Sequence, residues 1–190
     1  MKTTSTKTPS ATHQDAISLL TADHKAVQKN FKEFEKLKKN DGSDEEKSGL
    51  VTRACHELTM HAQIEEEIFY PAVRKAIEDD DLMDEADVEH ASAKELIAQL
   101  ESMEPDDDLY DARFTVLGEY INHHVKEEQD EMFPKAKKAK LDFKALGEEL
   151  AQRKKELRVE LGMNEPTQED REAEVAEQPR RTVGQAGGRR

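Results

Sequence analysis

The sequence predicts an all-α protein, an up-down-up-down four-helix bundle extended by one C-terminal helix, and three observations lead there. Ala, Leu, Lys and Glu dominate a chain with no Trp, which favours helices. Apolar residues recur at steps of three and four along each long segment. The breaks between segments are short and polar, as neighbouring antiparallel helices require.

Residues 1–11, rich in Thr, Ser and Lys, show no periodicity and read as a disordered lead-in to a domain spanning 12–160. The first helix carries Ile17, Leu20, His24, Val27, Phe31, Phe34 and Leu37 in one stripe, with His24 at its middle. Asn40, Asp41 and Gly42 break it, and Ser43 with Glu46 has capping-box spacing for the second helix. That helix places Ala54, Leu58, His61, Glu65, Ile68 and Ala72 on one face, and Pro71 predicts either a kink or a stop and restart. The acidic stretch EDDDLMDE leads into a third helix with the stripe Met83, Ala86, His90, Ala93, Ile97 and Leu100. Pro105 and three aspartates form the next turn and are expected to cap the fourth helix, which aligns Phe114, Leu117, Ile121, His124, Glu128 and Met132. An amphipathic segment over 141–157 is expected to pack alongside the bundle, and residues 161–190 read as a disordered charged tail.

Charge narrows the function. With 29 basic and 43 acidic residues the formal net charge is −14, which argues against binding nucleic acid phosphates or anionic membranes. No apolar run is long enough to span a bilayer and the first residues lack a secretory apolar block, so a cytoplasmic location is expected. Cys55 is the single cysteine, which excludes an internal disulfide and reads as a small core residue.

The segments HAQIEEEIFYP (61–71) and HVKEEQDEMFP (124–134) superpose without a gap: histidine, glutamate four on, an aromatic at the ninth or tenth place, proline ten on. Each follows a helix with one central histidine, at separations of 37 residues from His24 to His61 and 34 from His90 to His124. Two similar helix pairs would assemble as a pseudo-twofold bundle with a site near its axis. His24, His61, Glu65, His90, His124 and Glu128 all fall on apolar stripes, where desolvation costs several kcal/mol per ion unless something compensates. A metal is the economical compensation; imidazole with carboxylate suits first-row transition metals, and this ligand number and symmetry suit two ions bridged by Glu65 and Glu128. Glu66 and Glu67 lie about 100° and 200° further round the helix and should face solvent or hydrogen-bond to the ligands. His56, His123 and His13 read as surface or supporting residues, and Tyr70 and Tyr120 as packing. The acidic runs at 78–81 and 106–108 lack the spacing of a calcium loop.

The pairs Asp23-His24 and Glu89-His90, the two HxxxE motifs at 61–65 and 124–128, and the EEEIFYP and EMFP that follow resemble the hemerythrin-like HHE cation-binding domain family over about residues 13–157. The resemblance implies a four-helix bundle holding two non-haem iron ions, oxo- or carboxylate-bridged, that bind dioxygen, nitric oxide or peroxide. A ferritin-like site would instead need two Glu-x-x-His motifs. The chain departs from oxygen-carrying hemerythrins in having Lys94 where they place a further histidine, and Glu128 four residues after the last histidine where they have an aspartate at five. Fewer protein ligands shift the expectation from oxygen carriage towards sensing, scavenging or iron handling. The alternatives are a di-iron enzyme turning over peroxide and a zinc-holding structural bundle.

Overall fold

The computed structural model describes residues 14–163. His13 and both expected disordered segments, apart from 161–163, lie outside them. Among the described residues there are helices and no strand: α1 (Ala16–Lys39), α2 (Asp44–Ile64), α3 (Tyr70–Ala76), α4 (Asp80–Glu101), α5 (Tyr110–Glu127), α6 (Phe133–Lys138) and α7 (Phe143–Glu160). Helix α1 packs on α2 and α5, and α4 on α5 and α2, which closes a four-helix ring; α7 lies against α1 and α2.

Most helix ends follow the sequence signals. Ser43 Oγ accepts from Glu46 N at 3.2 Å while Glu46 Oε2 accepts from Ser43 N at 3.0 Å, the reciprocal box that starts α2. Asp15, Asp79 and Asp142 cap α1, α4 and α7 through their carboxylates. The start of α5 departs from expectation. None of the aspartates 106–108 caps it; Leu109, at φ 72°, turns the chain into the helix, and Asp107 Oδ2 accepts instead from Glu104 N within the preceding turn. Backbone geometry replaces the side-chain cap there.

The chain does not leave helical structure at Pro71. The chain passes from α2 into α3 through a π-helical turn, Glu65–Phe69, and the second copy repeats it at Glu128–Met132 between α5 and α6. Proline has no N–H to donate and its ring clashes with the carbonyl four residues back. A wider turn just ahead of Pro71 and Pro134 relieves both demands, with Tyr70 N bonding Glu65 O and Phe133 N bonding Glu128 O. The extra residue advances the buried face by one position. Phe69 and Val73 therefore fill the core, while Ile68 and Ala72, the inward residues expected from an uninterrupted helix, are only half-buried.

The core is divided. One apolar cluster includes Leu20, Ile64, Phe69, Met83, Met132 and Leu150; the other includes Val27, Phe34, Leu58, Ile97, Phe114 and Leu117. The buried imidazoles and carboxylates belong to neither. Cys55 is in the second cluster, where burial first and the charge of Glu101 next push its thiol up to about 12, so it is an inert core residue.

Gly147 sets the seating of α7. A Cβ there would stand 2.4 Å from Gln14 O and 2.8 Å from Ala16 N, backbone atoms that cannot swing aside, whereas a Cβ at Gly49 on α2 would meet nothing within 4 Å. Gly147→Ala is expected to cost about 1–3 kcal/mol by forcing the helix away, and Gly49→Ala to add about 0.5–1 kcal/mol by stiffening the unfolded chain. Urea unfolding of the two variants checks the opposite signs.

Candidate metal centre

All six stripe-interrupting residues meet. His24, His61, Glu65, His90, His124 and Glu128 are buried, and each imidazole turns its Nε2 inward. His24 and His61 approach through Nε2 at 3.0 Å, and His90 and His124 at 3.1 Å, so each helix pair supplies one imidazole pair. Glu65 Oε2 lies 3.2 Å from His61 Nε2 and 3.5 Å from His90 Nε2, reaching both pairs. Glu128 Oε2 lies 3.1 Å from His24 Nε2 and 3.8 Å from His124 Nε2, doing the same from the opposite side. Two donor sets result, His24–His61–Glu65–Glu128 and Glu65–His90–His124, sharing Glu65, with the donor atoms of each within 4.8 Å of one another.

Behind the imidazoles stands a second layer with the same symmetry. His124 Nδ1 donates to Glu89 Oε2 at 2.7 Å and His90 Nδ1 to Glu66 Oε1 at 2.9 Å. Asp23 Oδ2 faces His61 Nδ1 at 3.6 Å, and the Gln129 amide meets His24 Nδ1 at 3.0 Å. The residue before each first-helix histidine thus backs the second histidine of its own pair, and the residue after each glutamate backs the first histidine of the other pair. A carboxylate can only accept, so Glu89 and Glu66 fix the protons of His124 and His90 on Nδ1 and leave those Nε2 lone pairs for the interior. Lysines anchor this layer in turn: Lys154 of α7 pairs with Asp23, and Lys94 with Glu66. Lys94 therefore braces a supporting glutamate.

Tyr70 corrects the expectation that it merely packs. Its hydroxyl donates to Glu128 Oε1 at 2.9 Å and lies 3.1 and 3.3 Å from His90 and His124 Nε2, inside the centre. The π turn brings it there, one place beyond the face an α-helix would present. Its counterpart Phe133 stacks on His24 with ring centroids 6.0 Å apart and planes 3° from parallel. The other secondary residues keep to the outside. Tyr120 is exposed and His56 half-buried, His123 is on the surface, and Glu67 pairs with Arg153 of α7 at 2.7 Å.

Electrostatically the centre is unfinished. Burial, reinforced by the charge of Glu128, raises Glu65 well above the usual carboxylate range. Burial also opposes ionisation of Glu128, but the close approach of His24 to its Oε2 and the charges of His124, His24 and His61 outweigh it and hold that carboxyl below its usual range. Burial pushes His61 down to about 4 and also lowers His90, where the neighbouring His124 adds to the effect. His124 is raised: burial disfavours its charge, and the hydrogen bond to Glu89 together with the charges of Glu128, Glu89 and Glu127 outweighs it. Both Glu65 oxygens and Glu128 Oε2 have no hydrogen-bond donor. Buried carboxylate oxygens without donors, facing converging imidazole nitrogens, fit a bound cation and little else.

Comparison with known proteins places the chain in a family. The hemerythrin HHE cation binding domain matches residues 15–136. The chain belongs to this family. A crystal structure of an HHE cation-binding domain protein from Mycobacterium kansasii superposes with a TM-score of 0.64, covering 77% of this chain and 89% of that one at 22% identity, which is a likeness of fold. A DNA nickase of Nostoc sp. (strain PCC 7120 / SAG 25.82 / UTEX 2576) is 31% identical over 77 residues, 40% of this chain. The match takes in only 22% of the nickase, about a fifth of its length.

Glu65 offers a test independent of metal chemistry. Its folded pKa is raised above the unfolded value, so between that value and the folded pKa the native state holds a proton the unfolded chain has released, and stability falls as pH rises. Glu65→Gln removes this term and leaves the histidines in place. In the HHE protein freed of metal, the stability advantage of the glutamine variant should grow with pH above about 4.5. Chemical denaturation of both proteins at several pH values measures it; a constant difference would refute the assignment of the buried proton.

Proposed function

We propose that this HHE-domain protein holds two non-haem iron ions and uses them to bind or sense dioxygen, nitric oxide or peroxide, in stress response or iron and oxygen handling. The observation that carries this is three buried carboxylate oxygens, both of Glu65 and Oε2 of Glu128, that lack hydrogen-bond donors between two imidazole pairs. His24 and His61 would hold one ion, His90 and His124 the other, with Glu65 and Glu128 reaching both. Nitrogen and oxygen donors with few protein ligands per ion favour iron. When bound, iron supplies redox change and open coordination positions. The chain's own contribution is positional: Glu66, Glu89 and Asp23 orient the imidazoles, and the apolar clusters limit water.

Tyr70 favours a second reading, turnover of peroxide. Its hydroxyl, held against Glu128 and within reach of His90 and His124, is a proton donor inside the centre. Burial and the charges of Glu128 and Glu65 raise its pKa well above that of a free phenol, so it stays protonated and able to donate. We place the functional unit at residues 12–160 and the protein in the cytoplasm. No described helix is long and apolar enough to cross a membrane. The partial likeness to a DNA nickase supplies no DNA-binding surface to a chain of net charge −14.

Elemental analysis of anaerobically purified protein should find two irons per chain; zinc at one equivalent would overturn the proposal. His61→Ala and Glu128→Ala should each lower metal content and reduce the melting temperature of the loaded protein, because a bound ion stabilises only the native state. Stopped-flow mixing with peroxide separates the two readings. Sustained turnover that weakens in Tyr70→Phe establishes the enzyme, and a single stoichiometric reaction establishes the sensor.

A further inference from the structure

A second mixed donor set lies on the surface of the same bundle. His123 Nε2 is 3.3 Å from Glu127 Oε1, one turn along α5, and 3.5 Å from Glu89 Oε1 on α4. Donor atoms of the three gather within 4.8 Å of one another. The imidazole is 62% exposed and the two carboxylates 22% and 26%, so hydrated ions reach them freely. Glu89 faces two ways: Oε1 turns to His123 and Oε2 holds His124 Nδ1, which links this surface set to a buried imidazole.

A cleft of about 230 Å³ opens beside the set, with Glu89 and His123 among its lining along with Ala93, Ile121 and the imidazoles of His90 and His124. Two other cavities that touch the buried histidines hold about 20 and 70 Å³, too narrow for an ion that still carries waters. Glu85 and Glu131 add to the negative field around Glu127. A cation bound for the interior must exchange its waters for protein donors, and carboxylate and imidazole at the rim of a cleft provide the first exchange.

We propose that Glu89, His123 and Glu127 form a surface acquisition site for a divalent first-row transition cation, which then passes through the α4–α5 cleft to His90 and His124. The inference rests on the reading of the buried centre as a metal site.

Calorimetric titration of the full, metal-free chain with Zn²⁺ should show three equivalents, the third weaker than the other two. The double variant His123→Ala/Glu127→Gln should take up two only, with the melting temperature of its metal-free form unchanged because both side chains are peripheral. Its anaerobic loading with Fe²⁺ should slow about tenfold, in line with loss of local cation steering. Two equivalents in the wild type, a third retained in the variant, or loading at the wild-type rate would each overturn the proposal. If the buried centre itself takes no Zn²⁺ while the surface equivalent persists, the reading of the centre fails and the acquisition route falls with it, leaving a surface cation site alone; loss of the third equivalent with the buried two intact overturns the acquisition site and spares the centre.

Discussion

Everything in this fold is arranged around one awkward requirement, that four imidazoles and two carboxylates share a buried level of a helical bundle. Each such group is costly to desolvate, and the bundle would be better packed with leucine at those places. The architecture answers by gathering the six within contact of one another and keeping them out of both apolar clusters. A second ring of acids and an amide braces the rings from behind, and lysines brace two of those acids. Helix α7 belongs to the same scheme, since Lys154 and Arg153 fasten it to Asp23 and Glu67 on either side of the centre.

The π turns show how local backbone chemistry serves this requirement. Each begins on the shared glutamate and ends just before an aromatic-proline pair. The wider turn makes room for the proline and, by the same step, rotates the following aromatic to the centre. One backbone device thus accounts for the position of Tyr70 beside His90 and of Phe133 beside His24.

Much of this was legible in the sequence. The stripe of α4, Met83 through Leu100, matches the buried residues of that helix one for one, because an uninterrupted helix obeys its own period. The six polar interruptions were legible for the same reason, and the gapless repeat turned separate histidines into a set. The misses share a cause: an α-helical period was carried through a turn of different pitch, which misplaced Ile68 and Ala72 and hid the role of Tyr70. The start of α5 escaped because Leu109 at positive φ has no residue signature, whereas an aspartate-rich turn does. The supporting layer was visible in part: Glu66 stood as a candidate hydrogen-bond partner of the ligands, while Asp23 and Glu89 showed only as neighbours of His24 and His90, and that each would serve a histidine on another helix is a tertiary fact.

The two halves of the repeat are related by a pseudo-twofold turn, and beside the imidazoles they differ by one hydroxyl. Where one half sets the phenol of Tyr70 against His90 and His124, the other sets the bare ring of Phe133 against His24, so the two imidazole pairs keep unlike company. One has a hydroxyl within hydrogen-bond reach; the other has only the face of a benzene ring. A bundle built by near-duplication thereby acquires a direction.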